Sequence, residues 1–100
     1  MSLRIVVVER ARRELVEADK WCRENRSDPD LIEREVSSAI SLLLHHPEAG
    51  ALFLRARRRG IRRLLLRKTQ HHIYYRFEAE RRTLRILAFW HTAREHSPGL

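Results

Sequence analysis

Three apolar-rich runs crowd the second half of this chain, at residues 61–67, 71–78 and 83–90, and only Lys68-Thr69-Gln70 and Ala79-Glu80-Arg81-Arg82 separate them. Breaks this short are hairpin connections, so the three runs predict consecutive strands of an antiparallel meander. In the middle run Ile73, Tyr75 and Phe77 alternate with His72, Tyr74 and Arg76. In the last, Leu84, Ile86, Ala88 and Trp90 alternate with Arg85, Leu87 and Phe89, again the period of two that a pleated strand imposes. Leu87 and Phe89 make the second face of that last run apolar too, so it is expected in a central, covered position.

A sheet with an apolar face needs a second layer, and the first half of the chain supplies it. Residues 3–8, Leu3-Arg4-Ile5-Val6-Val7-Val8, are short and β-branched, which suits a strand better than a helix. From Glu9 onward Ala11, Leu15, Ala18 and Cys22 recur at helical spacing, with Trp21 beside the stripe. Asn25-Arg26-Ser27-Asp28-Pro29 interrupts that helix, since the residue before a proline is driven out of the helical region. Asp28 is expected to cap a second helix with Pro29 at its first position. That helix carries Ile32, Val36, Ala39, Ile40, Leu43 and Leu44 on one face, turns Glu33, Glu35 and Ser37 away, and ends at His45-His46-Pro47. Between Gly50 and Gly60 the chain is basic and aperiodic, which predicts a surface loop or frayed helix end. The tail from His91 to Leu100, which closes with Ser97-Pro98-Gly99, is expected to be loose. The expected fold class is therefore α+β, a single domain over residues 1–100 with an N-terminal strand, an α-helical hairpin and a three-stranded antiparallel meander in two layers.

Hydrophobic residues make up 43% of the chain and are spread along it, which argues for folding despite the 34% that are charged. The lone Cys22 has no disulfide or zinc partner, suits a buried small apolar site, and points to a reducing cytoplasm. No stretch approaches the ~20 apolar residues of a membrane span, and the start is too short in its apolar run for a secretory signal, so no membrane partner is expected.

The charge is divided unevenly. Residues 51–100 carry thirteen Lys and Arg against Glu78, Glu80 and Glu95, a net +10, while residues 1–50 carry eight bases and ten acids, a net −2. Arg55, Arg57, Arg58, Arg59, Arg62, Arg63, Arg67 and Lys68 fall within residues 55–68. A charged sheet edge that resists aggregation accounts for some of these, but not for seven arginines in fourteen positions. The planar guanidinium fork pairs bidentately with carboxylate or phosphate, so the cluster is read as a binding surface for a polyanion or an acidic protein.

The order strand, helix hairpin, meander is joined by several short texts: Ala11, Glu14 and Leu15; Ala39-Ile40 with Leu43; His46-Pro47-Glu48-Ala49-Gly50; Gly60-Ile61-Arg62-Arg63-Leu64; His72-Ile73-Tyr74-Tyr75-Arg76; and Ile86-Leu87-Ala88-Phe89-Trp90-His91 with Arg94. In this order and spacing, over nearly the whole chain, they resemble the RelE/ParE superfamily of type II toxin-antitoxin toxins. The resemblance implies the RelE/ParE-like two-layer fold and a small cytoplasmic bacterial toxin. It further implies a hetero-oligomer with a cognate antitoxin whose acidic C-terminal segment lies across the sheet and the helix hairpin. ParE-like members poison DNA gyrase by binding, whereas RelE-like members cut messenger RNA in the ribosome.

Metal-free RNA cleavage needs a base for the 2′-hydroxyl, an acid for the leaving oxygen and cations for the phosphate. Arg62, Arg63, Tyr75, His91 and Arg94 are the candidates, with Tyr74 a further possible proton carrier and Arg67 a possible phosphate clamp. Nuclease branches of the superfamily tend to end in a functional Tyr, or a His-Tyr pair; here the last tyrosine is Tyr75 and the tail offers only His96. That departure aligns the chain with the ParE-like side, a gyrase inhibitor without chemistry of its own. The alternatives are the ribosome-dependent nuclease and an inactive homologue serving as antitoxin partner and corepressor. The pairs His45-His46 and His71-His72 lack metal-ligand spacing, because strand neighbours point to opposite faces and helix neighbours diverge by ~100°. No metal and no cofactor are expected.

Overall fold

The β-branched run at the start forms β1 (Arg4–Val7), and the chain turns directly into α1 (Glu9–Asn25) and then α2 (Leu31–His45). A computed structural model describes residues 3–100. Four further strands follow: β2 (Ala51–Leu52), β3 (Ile61–Leu66), β4 (His71–Glu78) and β5 (Thr83–His91), with a single 3₁₀ turn at Ala79–Arg81. The sheet runs in the order β1-β5-β4-β3-β2, with β1 parallel to β5 and every other pair antiparallel. Gln70 and Arg82, which close the two hairpin connections, adopt positive φ of 58° and 47°, and Gly60 at 81° turns the chain into β3. The β3–β4 turn is tied to the helical layer: the Glu35 carboxylate accepts the backbone N–H groups of Lys68 and Thr69 at 2.7 and 3.1 Å, and the Thr69 hydroxyl at 2.6 Å.

The α+β order and the meander are as expected, and the helices cover one face of the sheet. Ala11, Cys22, Ile32, Ala39 and Leu43 meet Leu66, Ile73, Tyr75, Leu84, Ile86 and Phe89 in the main core. Leu43, Tyr75 and Leu84 lose all their exposure, and a large side chain buried this way contributes about 1.5–3 kcal/mol. As expected, β5 lies between two partners with apolar contacts on both faces.

Four local features depart from expectation. The basic stretch after Gly50 is not all loop: Ala51 and Leu52 pair with Arg63 and Arg62, adding a fourth antiparallel strand at the edge. Strict alternation fails in β5, because Tyr74 pairs with Ala88 and Tyr75 with Ile86, leaving Leu87 as an extra residue. That bulge rotates the following residues by one position, so Phe89 joins Leu84 and Ile86 beneath the helices while Ala88 turns to the open face. Asp28 does not cap α2. The helix begins at Leu31, Asp30 occupies the cap without a side-chain bond, and the Asp28 carboxylate pairs with Arg34 instead. Finally, the tail is not loose: Leu100 packs with Phe53, Ile61, Tyr74 and Ala88 in a second, smaller cluster on the open face, and its carbonyl accepts the Arg57 N–H at 2.7 Å.

Candidate functional site

The arginine run is contiguous in sequence but β3 divides it in space. Arg55, Arg57, Arg58 and Arg59 are exposed in the loop before the strand, and Arg67 and Lys68 lie beyond its other end, six residues or about 20 Å away. Between them, Arg62 and Arg63 point to opposite faces. Arg62 lies on the helix side, where its Nη1 donates to the carbonyl oxygens of Gly50 at 2.8 Å and Glu48 at 3.3 Å. Arg63 lies on the open face, over the Phe53 ring at 5.2 Å, and donates to the Tyr74 hydroxyl at 3.2 Å.

Tyr75 is fully buried beside Arg62, its cross-strand partner. Its hydroxyl donates to the Pro47 carbonyl and accepts the Gly50 N–H, each at 2.8 Å. Burial raises its pKa, only partly offset by the Gly50 N–H and by Arg62. A phenol saturated and desolvated in this way holds the joint between α2 and β2 and has no free position for proton transfer. Gly50 is required there: a Cβ would sit 2.7 Å from the Tyr75 ring and hydroxyl and 2.9 Å from the Arg63 carbonyl.

His91 pairs with His71 across β5 and β4, four residues from Tyr75 on the latter strand, or about 13 Å. The Ala93 N–H donates to its Nδ1 at 3.0 Å. His71 stacks on Phe89 at 4.3 Å and meets His91 edge-on at 4.9 Å; burial and then His91 push its pKa down to about 4. Both histidines, with Arg94, line a cleft of about 410 Å³ between α1 and the strand ends. Arg94 also lies over the Trp90 ring at 3.9 Å, with Arg10 at 5.4 Å. Beyond the end of β1, on the side of β5 away from β4, Glu14 accepts the Phe89 N–H at 3.0 Å and also pairs with Arg10.

The five candidate catalytic residues therefore fall into three places: Arg62 and Tyr75 at a structural joint, Arg63 on the open face, and His91 with Arg94 at the far strand ends. The open face gathers a different row. His72 is the cross-strand partner of Trp90, lies edge-on to Tyr74 at 5.8 Å, and has its pKa lowered by burial and then by Arg63. The Trp90 Nε1 donates to the His96 carbonyl at 2.7 Å, so the tail passes over this row. In the sequence, His72 and Trp90 belong to the histidine pair, the strand alternation and the family resemblance but not to the candidate site residues, and Phe53 belongs to none of these. The signal available was parity: His72 and Tyr74 share a face, and pairing Arg63 with Tyr74 brings the arginine onto it. Among the described residues no group of three or more His, Cys, Asp or Glu could hold a metal ion.

Residues 5–96 match the family described as "ParE toxin of type II toxin-antitoxin system, parDE". The chain belongs to the ParE toxin family. Its fold is similar to a chain of the toxin-antitoxin complex RelBE2 from Mycobacterium tuberculosis, 22% identical, with a TM-score of 0.65 over 91% of this chain and 99% of that one. It is also similar to the isolated E. coli RelE toxin, 15% identical, TM-score 0.66, over 94% and 88% of the two chains. A chromosomal ParDE system from P. aeruginosa matches at 15% identity and a TM-score of 0.63, over 89% and 95%. At these identities the likeness is one of fold. No curated protein matches the chain. In this ParE-family toxin no helix among the described residues is long and apolar enough to cross a membrane.

Proposed function

We propose that this type II toxin acts in the cytoplasm by binding DNA gyrase, without chemistry of its own, and is held inactive by an antitoxin with an acidic segment. What carries the reading is the dispersal of Arg62, Arg63, Tyr75, His91 and Arg94. General acid–base cleavage needs its groups within hydrogen-bond reach of one phosphodiester, whereas Tyr75 is saturated and about 13 Å of strand separates it from His91. The exposed quartet Arg55, Arg57, Arg58 and Arg59, with Arg67 and Lys68, suits a surface that meets acidic protein. Purified toxin incubated with gyrase and relaxed plasmid is expected to block supercoiling or trap cleaved DNA. Normal supercoiling by a preparation that still stops growth on induction would sink the proposal.

One observation favours a second reading. Burial, and then Arg63, keep His72 toward its neutral form beside Tyr74, and a neutral imidazole near a guanidinium is a reasonable base-and-cation pair for RNA cleavage. Mapping message ends after brief induction separates the two: cuts at fixed codon positions that disappear in His72→Ala support the nuclease, and their absence removes it.

A further inference from the structure

Two features on opposite sides of the sheet complement each other. Between α1 and α2 runs a groove of about 470 Å³ lined by Leu15, Val16, Ile32, Val36 and Ile40, with Asp19 and Glu33 at its rim. Val16 is 53% exposed. The rim is electronegative for a local reason: Asp19, Asp30 and Glu33 each approach the guanidinium of Arg23 at 2.9 Å, so three carboxylates share one cation. Asp19 Oδ1, moreover, is buried without a hydrogen-bond partner, so this carboxylate is only partly compensated within the molecule. The β2–β3 loop has the opposite character. Leu54 is 86% exposed, and beside it stand Arg55, Arg57, Arg58 and Arg59, all exposed and with no ion pair among the described residues. Phe53, buried in the open-face cluster, anchors this loop on the side of the sheet away from the helices, so the loop and the groove of one molecule face apart.

We infer that the groove receives the arginine loop of a second copy of this chain. Leu54 enters among Val16, Val36 and Ile40, while the loop arginines meet Asp19 and Glu33. The contact is heterologous, loop of one copy to groove of the next, and joins the −2 half of one molecule to the +10 half of another. It covers the basic loop of each engaged copy, so self-association and partner binding compete for the same arginines. The inference holds whichever cellular target the toxin has, and its failure leaves the gyrase assay unaffected.

Sedimentation velocity on the purified full chain tests it. Wild-type protein is expected to gain mass with concentration at low salt and to return toward monomer at about 0.5 M salt, where exposed charges are screened. Leu54→Glu and Val16→Arg each alter an exposed side chain, so folding, followed by circular dichroism, is expected to be unchanged. Each is expected to weaken self-association by about tenfold or more, the effect of losing one well-buried aliphatic contact. Mixed in equal amounts they should recover a 1:1 dimer, because each retains the half that the other lacks. A wild-type chain that stays monomeric at every concentration, a variant that associates like wild type, or a mixture that stays monomeric would each overturn the inference.

Discussion

Replacing Tyr75 with Phe separates a structural tyrosine from a catalytic one. The ring stays in the main core, but the hydroxyl that bridges Pro47 and Gly50 at 2.8 Å on each side is lost. Two hydrogen bonds go, at a net worth of about 1 kcal/mol each, and the buried Gly50 N–H is left without a partner, which adds about 1–2 kcal/mol. The expected loss is about 2–4 kcal/mol, a large fraction of the 5–15 kcal/mol that holds a typical domain folded. In urea, with a slope of about 1–3 kcal/mol per molar for a small domain, the midpoint should fall by about 1–2 M. The slope itself should be unchanged, since the surface exposed on unfolding hardly differs. Without denaturant, equal amounts of folded variant and wild type should behave alike in the gyrase assay that tests the proposed function. A variant with the wild-type midpoint that has lost its toxicity would refute the reasoning, because only a group acting on the target behaves that way.

Gly50→Ala strikes the same joint from the other side: its Cβ would meet Tyr75 and the Arg63 carbonyl within 2.9 Å, and a destabilisation of about 1–3 kcal/mol should appear as a melting point lower by about 5 °C or more. His71 makes stability depend on pH. Between pH 6.5 and about 4 the unfolded chain binds a proton there that the folded chain refuses, so stability should fall as pH drops through that window, by up to about 3 kcal/mol, and His71→Phe should flatten this part of the profile of denaturation midpoints. Replacing Arg57, Arg58 and Arg59 with Ser should slow association with the antitoxin at low salt and flatten its salt dependence in stopped-flow measurements; an unchanged on-rate would remove that role from the loop.

Much of the fold was legible because the chain leaves few choices. Connections of three and four residues force hairpins, and the switch from helical spacing to alternation marks where the helical layer ends. What escaped depends on contacts between distant segments. The Leu87 bulge is invisible in a run that is apolar at every position from Ile86 to Trp90, because no polar residue marks the slip. β2 is only two residues long and exists through its pairing with β3, so it has no pattern of its own. Asp28 has the right type and place for a cap, yet its carboxylate goes to Arg34, a partner six residues on.

The same limit governs the arginines, where sequence proximity misleads and parity corrects it. Arg62 and Arg63 belong to one run, but a strand sends neighbours to opposite faces, and each is engaged where it lands: Arg62 on the Gly50 and Glu48 carbonyls, Arg63 on Phe53 and the Tyr74 hydroxyl. Removing either should therefore lower stability before it alters recognition. Among the described residues the side chains of the loop quartet have no such partners, which leaves them exposed to another molecule. The net +10 of the second half thus overstates the binding surface, because part of it braces the sheet. A partner approaching the β2 edge meets Leu54 and four guanidinium groups together, and this pairing of an exposed apolar anchor with concentrated charge calls for a groove with an acidic rim more than for a bare polyanion.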